Sequence, residues 1–166
     1  QTLSSLAGGI ISKLPSILNR EKFEYILVHG DTLTSSVASL VAFWNGVKVG
    51  HVEAGLRTYN IYSPFPEEVN RQVTARIASV HWAPTQSAKE NLISERIDEE
   101  NIKVTGNTVI DALILMNNRI KNDIQFSDKI ISNLNPKFKE WKGRVVLITG
   151  HRRENHGSGL FKYVKH

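Results

Sequence analysis

The sequence has no cysteine, so disulfide bonds and zinc sites built from cysteine are excluded. It has no apolar run that approaches the roughly 20 residues of a membrane span, and its start does not resemble a signal peptide. No HExxH motif, Walker A loop or dinucleotide-binding fingerprint occurs in it. We therefore predict a cytoplasmic protein with no metal site and no membrane partner.

The composition is that of an ordinary globular protein. The 166 residues are 40% hydrophobic and 22% charged, which is enough for one core, or for one domain and part of another. The net charge of +5 raises the question of nucleic-acid binding. The basic residues are scattered, however, and the one tight cluster is Arg152 and Arg153. Because no basic stripe with interleaved aromatic residues occurs, we predict no nucleic-acid partner.

Short apolar runs alternate with segments of helical periodicity along the chain. This alternation predicts an α/β fold with a doubly wound parallel sheet. The predicted strands are 25–28, 47–52, 80–83, 102–105 and 144–149, and the predicted helices are 4–18, 34–44, 67–78, 87–94 and 108–116. Residues 117–142 are polar and contain no clear strand, which fits a long helix or a linker at a domain boundary. We place a first domain in residues 1–138 and the beginning of a second in residues 139–166.

Acidic residues follow two neighbouring strands of the predicted sheet. Asp31 comes after the strand at 25–28, and Glu53 comes directly after the strand at 47–52. Because the carboxyl ends of parallel strands meet at one edge of the sheet, both carboxylates can reach the same small substrate. Such a pair can divide the roles of general acid and general base. Two simpler interpretations are open, in which Asp31 caps the next helix and Glu53 is a solvated residue at a strand end.

The segment 50–71 is rich in glycine, proline and charged residues. Pro64 and Pro66 end any earlier element, so Glu67 and Glu68 fall in the first turn of the next helix. Acidic side chains at that place interact favourably with the helix dipole, which is the simpler interpretation of both. Their density in a loop beside Glu53 favours a functional site, because binding residues cluster on loops held by rigid elements.

A third candidate site follows the strand predicted at 144–149. His151, Arg152 and Arg153 precede a loop with Gly157 and Gly159 and a further helix. Guanidinium groups and a helix N-terminus both attract anions, so this arrangement suggests a phosphate site. A surface histidine beside a solvated arginine pair is the alternative.

Four runs of sequence together resemble the non-hydrolysing bacterial UDP-N-acetylglucosamine 2-epimerase family. They are VHGDTLTSSVASLVAFWNGVKVGHVEAGLRT, PFPEEVNR, VTGNTVIDAL and LITGHRREN. The resemblance implies a GT-B architecture, with two Rossmann-like domains and an active site in the cleft between them. It also implies UDP-N-acetylglucosamine as the substrate, UDP-N-acetylmannosamine as the product, a role in cell-surface polysaccharide synthesis, no metal or redox cofactor, and a homodimer.

The resemblance further implies a mechanism and its residues. The C2 proton is removed, UDP leaves C1 to give a 2-acetamidoglucal intermediate, and UDP adds back with the proton on the opposite face. Asp31, Glu53 and Glu67 match the acid/base carboxylates of the family, and His151 matches a catalytic histidine that contacts the nucleotide. Asp31, Glu53, His151 and Arg152 are the implied substrate-binding residues. Arg152, with Glu67 or Glu68, matches the border of an activating sugar-nucleotide site in some members.

The resemblance covers most of residues 25–155. Hydrolysing relatives have a Gly-Glu pair where this chain has Ala54 to Arg57, which favours the non-hydrolysing class. The first strand of the family would precede Gln1, and most of its second domain would follow His166. We therefore expect a fragment that is inactive by itself. The alternatives are a GT-B glycosyltransferase that uses a UDP-sugar and a non-catalytic module that binds sugar nucleotides.

Overall fold

Strands and helices alternate in the structure, a computed structural model that describes residues 2–134, 136 and 141–146. The strands are β1 (Tyr25–His29), β2 (Lys48–Val52), β3 (Val80–Ala83) and β4 (Ile102–Val104). The helices are α1 (Leu3–Leu18), α2 (Leu33–Trp44), α3 (Glu67–Ile77), α4 (Gln86–Ser94), α5 (Thr108–Asn122) and α6 (Ile124–Asn133), with a short 3-10 helix at Glu99–Asn101. The chain divides into two compact units between Asn107 and Thr108.

The first unit contains a four-stranded sheet in the order β1-β2-β3-β4. All three strand pairs are parallel, with Val28 opposite His51 in the first pair and His51 opposite His81 in the second. The carboxyl ends of the strands consequently lie along one edge. This arrangement confirms the parallel α/β, Rossmann-like sheet that the alternation of elements predicts.

The side chains of β1 alternate between two environments. Val28 is buried among the helices, whereas Leu27 is 65% exposed on the opposite face. Two apolar clusters fill the space between the sheet and its helices. The first contains Leu18, Val28, Val37, Val41, Ala42, Val47 and Val49, and the second contains Ala54, Ala75, Ala83, Ala88, Leu92 and Ile102. The helices α1 to α4 therefore cover one face of the sheet.

Glycine at position 50 allows two large side chains to approach on the other face. A Cβ atom at Gly50 would lie 2.6 Å from the ring of Trp82 and 2.8 Å from the side chain of Leu27. Any side chain at this position would force one of these neighbours away.

The second unit, in its described residues, consists of α5 and α6. Helix α5 runs to Asn122, beyond the end that the sequence predicts at residue 116. The Arg119 guanidinium lies 4.0 Å from the centre of the Phe126 ring and links the two helices. Residues 144–146, at the start of a predicted strand, have no regular secondary structure, and residues 147–149 lie outside the described range. The domain boundary at residue 138 stays a prediction.

Among the described helices, none combines the length and the apolar character that crossing a bilayer requires.

Candidate active site

Asp31 and Glu53 follow neighbouring parallel strands, as the sequence predicts. The N–H of Gly30 donates to the carbonyl of Val52 over 2.9 Å, which ties the two strand ends together. Gly30 has φ +68°, and Glu53 Oε2 would lie 3.2 Å from a Cβ atom at that position. A glycine is therefore suited to this position by its left-handed backbone and by the close approach of the Glu53 carboxylate. The carboxylate of Glu53 therefore lies beside Gly30, the residue that precedes Asp31.

The backbone of Glu53 is strained. Its φ angle is 65°, in the left-handed region, which costs a residue with a side chain roughly 1–2 kcal/mol. The next residue holds this conformation, because the N–H of Ala54 donates to the carbonyl of Trp82 over 3.0 Å. Glu53 Oε2 lies 3.6 Å from Nε2 of His29, and the Glu53 side chain is 30% exposed. Strain of this kind is concentrated at functional sites, so this outlier supports a function for Glu53.

Asp31 does not cap helix α2. The cap is Thr32, whose Oγ1 accepts a hydrogen bond from the N–H of Ser35 over 3.2 Å. The carboxylate of Asp31 instead pairs with Nη2 of Arg71, and its backbone carbonyl accepts a hydrogen bond from Asn70 Nδ2 over 3.0 Å. The capping interpretation of Asp31 is therefore wrong, and helix α3 holds this residue at two points.

Glu68 anchors the other end of the Arg71 side chain. The Glu68 carboxylate has no exposed surface, and Arg71 Nη1 lies 3.3 Å from its Oε2. It also accepts hydrogen bonds from the backbone N–H groups of Thr58 at 3.0 Å and Tyr59 at 3.1 Å, and from Gln72 Nε2 at 2.9 Å. Burial alone would raise the pKa of Glu68, but these hydrogen bonds together hold it below its ordinary value.

Glu67 is the first residue of α3 and is partly buried. Its acid/base role stays a prediction. The border of an activating site, predicted at Glu67 or Glu68, also stays a prediction, and the Glu68 carboxylate is fully buried.

The loop after β2 is fastened to helix α4. Arg57 donates from Nε and Nη2 to the two carboxylate oxygens of Glu95, both over 2.7 Å. Asn91 Nδ2 donates to the carbonyl of Gly55 over 2.9 Å, and the Tyr59 hydroxyl donates to Asn91 Oδ1 over 3.1 Å. These contacts fix the loop between Glu53 and the glutamates at the start of α3. The loop therefore supports the site rigidly.

Two buried histidines lie behind the strand ends. Nε2–H of His51 donates to the carbonyl of Gly30 over 2.8 Å, within the turn that carries Asp31. Burial lowers the pKa of both His51 and His81 to about 4, despite the opposing hydrogen bonds to the Gly30 and Ala78 backbones. The charge of Arg57 lowers both pKa values further. Both rings are therefore neutral at pH 7.

His151 and Arg152 lie outside the described residues, so their predicted roles stay predictions. No group of three or more His, Asp or Glu side chains suited to a metal ion occurs in the part of the chain that is described. Asn70 and Arg71 also lie at this site, although no role for them was predicted from the sequence. Their signal was their position at the end of the run PFPEEVNR, one residue after the two glutamates.

The arrangement is suited to proton transfer. Two carboxylates, each on a side chain that is 30% exposed, stand at adjacent strand ends, where a bound substrate can contact both. Asp31 is held by charge pairing, and Glu53 is held by its backbone. A preorganised pair of this kind can act as acid and base on one carbon centre.

The chain is similar in sequence to the proteins of one known family. The family described as UDP-N-acetylglucosamine 2-epimerase matches residues 1–165. A Campylobacter jejuni protein named UDP-N-acetylglucosamine 2-epimerase is 47% identical over 163 residues, which are 98% of this chain and 43% of that protein. The chain thus spans about two fifths of the length of the curated relatives it matches.

Solved structures agree with the sequence comparison. The crystal structure of UDP-GlcNAc 2-epimerase from Neisseria meningitidis, bound to UDP-GlcNAc, matches with a TM-score of 0.87 at 46% identity, over 96% of this chain and 42% of that one. The Methanocaldococcus jannaschii enzyme, in complex with UDP-GlcNAc and UDP, matches with a TM-score of 0.74 at 35% identity, over 81% of this chain and 37% of that one. The chain belongs to the UDP-N-acetylglucosamine 2-epimerase family.

Proposed function

We propose that the whole protein interconverts UDP-N-acetylglucosamine and UDP-N-acetylmannosamine without hydrolysing them. The observation that carries this proposal is the pair of preorganised carboxylates, Asp31 and Glu53, at adjacent strand ends. Two solved relatives are described as bound to UDP-GlcNAc, which supports the same substrate here.

The reaction inverts one carbon centre by elimination and re-addition. A carboxylate removes the proton from C2, and the electrons of the C2–H bond form a double bond to C1 as the C1–O bond to UDP breaks. UDP then adds back to C1, and an acid returns a proton to the opposite face of C2. Asp31 and Glu53 are the groups that this chain offers for the two faces, because they approach one place from different strands.

Three further features belong to this proposal. Residues 1–138 belong to an N-terminal Rossmann-like domain, and residues 139–166 begin a second one. Glu67 acts as a further acid/base group, and His151 and Arg152 contact the nucleotide. The family resemblance supports these roles, as it supports a homodimer, and we also expect a cytoplasmic location.

Deuterium exchange tests the proposal directly. UDP-N-acetylglucosamine is incubated in deuterated water with this chain and, separately, with the full-length protein, and deuterium at C2 is followed by NMR. We expect exchange and epimerisation with the full-length protein and little or none with the 166 residues alone. A folded full-length protein that gives no exchange, or that transfers the sugar only when an acceptor is added, would contradict the proposal.

A further inference from the structure

Helix α3 holds Asp31 with two consecutive residues. Asn70 donates to the backbone carbonyl of Asp31 over 3.0 Å, and the guanidinium of Arg71 pairs with its carboxylate. The backbone and the side chain of Asp31 are therefore fixed separately, by neighbours that lie far from Asp31 in sequence. A solvated carboxylate would need neither contact.

The charged groups at this contact alternate in sign. One guanidinium lies between two carboxylates, with Nη2 directed to Asp31 and Nη1 directed to Glu68. The Arg71 side chain is 11% exposed and that of Glu68 is fully buried. The planar fork of arginine can address two carboxylates in a fixed geometry, which a lysine ammonium on a flexible stem cannot do.

Glu68 also determines where this arginine lies. Its carboxylate is fixed by the backbone N–H groups of Thr58 and Tyr59 and by the side chain of Gln72. The loop after β2 and the first turn of α3 therefore meet at Glu68. Any displacement of this loop would be transmitted through Arg71 to Asp31.

We propose that Arg71 is a positioning residue for Asp31 and that Glu68 anchors Arg71 to the loop after β2. The contact keeps the Asp31 carboxylate in one orientation towards the substrate. This inference rests on the proposed function, because it assigns Asp31 a part in proton transfer. Arg71 and Glu68 act through Asp31 and do not touch the reacting atoms.

Substitution of Arg71 in the full-length protein tests this role. Misplacement of a reacting group by about 1 Å can cost about 100-fold in rate, so we expect Arg71→Ala to lower kcat by about that factor and to change KM little. Arg71→Lys keeps the charge without the fork and should lose activity to a smaller extent. Arg76→Ala is the matched control on the same helix, because Arg76 is exposed, and it should retain the wild-type kcat.

Chemical rescue separates positioning from general structural support. Guanidinium ion at millimolar concentration should restore part of the kcat of Arg71→Ala, while the Tm of the variant stays the same. Absence of rescue in a folded variant, or a loss confined to KM, would overturn the proposal. Glu68→Gln should also lower kcat with KM little changed, and wild-type kcat in that folded variant would refute its anchoring role.

A structural measurement separates this proposal from the proposed function. In a crystal structure of Arg71→Ala, the Asp31 carboxylate should leave its wild-type orientation, and an unmoved carboxylate would refute positioning by Arg71. If the wild-type protein gives no deuterium exchange, the proposed function fails, and the catalytic part of this inference fails with it. If the wild type is active and Arg71→Ala retains its kcat, only the positioning role is refuted.

Discussion

His51 and His81 stand directly opposite each other in the neighbouring strands β2 and β3, and both side chains are buried. The Nδ1 atom of each ring is without a hydrogen-bond partner within the described part of the chain. A proton added to either ring would be placed in a buried environment near the charge of Arg57.

This histidine pair predicts a loss of stability in mild acid. Both pKa values are about 4 in the folded protein, against 6.5 for the free side chain. As the pH falls below about 6.5, the unfolded state takes up protons first, so unfolding becomes easier until about pH 4. The free energy of unfolding should fall by on the order of 3 kcal/mol for each histidine over this pH range. Urea unfolding at a series of pH values measures it.

Substitution of the histidines provides the control for this experiment. His81→Gln should reduce the pH dependence between pH 6.5 and 4, because one of the two buried imidazoles is gone. Equal slopes in the wild type and in this variant would show that the buried pair is not the source.

Substitutions of Asp31 and of its neighbour Thr32 should have different effects, the first on the reaction rate and the second on stability. Asp31→Asn removes the proposed acid/base group, and we expect the epimerisation rate to fall by a factor of about 10²–10⁴. Thr32→Ala removes the cap of α2, so it should lower the free energy of unfolding by about 1 kcal/mol with the chemistry intact. Deuterium exchange at C2 and urea unfolding, measured on both variants, check this pair.

The two epimers should distinguish the roles of Asp31 and Glu53. If each carboxylate serves one face of C2, Asp31→Asn and Glu53→Gln should each block elimination of UDP from one epimer and leave it in the other. Release of UDP from each sugar nucleotide, with both variants, gives the assignment. Full elimination from both epimers in both variants would exclude these two residues as the bases.

Two glycines with similar backbones should respond differently to alanine. Gly55 and Gly46 have φ angles of +87° and +71°, so alanine is strained at both. A Cβ atom at Gly55 would also lie 2.1 Å from the carbonyl oxygen of Ala88, whereas nothing lies within 4 Å at Gly46. We expect Gly46→Ala to cost about 1–2 kcal/mol and Gly55→Ala to cost at least about 3 kcal/mol in urea unfolding.

Two ion pairs at or next to α4 should differ in how much they stabilise the protein. The Arg57 side chain is fully buried and makes a bidentate contact with Glu95, so Arg57→Met should destabilise the protein by about 3 kcal/mol or more. Lys89 pairs with Glu99, a residue that is 69% exposed, and Lys89→Met should have little effect. Thermal unfolding compares them, and equal losses would show that the bidentate contact is not specially stabilising.

The sequence was sufficient to predict the sheet and the place of the two carboxylates. Apolar runs alternate regularly with helical segments, and parallel topology follows from that order, so Asp31 and Glu53 had to share an edge. The limits of α2 and α3 were also predicted within a residue, because capping groups and prolines mark them. Helix α5 was predicted too short, because its last residues are polar and the sequence left a long helix and a linker both open beyond residue 116.

The contacts of Asp31 could not be read from the sequence. Its pairing with Arg71 requires the first turn of α3 to lie against the turn after β1, which depends on the packing of distant segments. The cap of α2 was equally ambiguous, since Asp31 and Thr32 both suit that position and only backbone geometry decides between them. The burial of His51 depends on the Gly30 carbonyl that accepts its N–H, and strand periodicity carries no information about such a partner.

The left-handed backbone at Glu53 places stability and chemistry in opposition at a single residue. Glycine would adopt that conformation without the cost of a side chain, so selection for robustness alone would favour it. A carboxylate at this point is kept at the expense of the fold, and directed evolution for heat resistance could remove it as readily as the left-handed Tyr59 or Arg96. Screens of this protein for thermostability should therefore retain a selection for turnover, because one available gain in stability lies at a proposed acid/base residue.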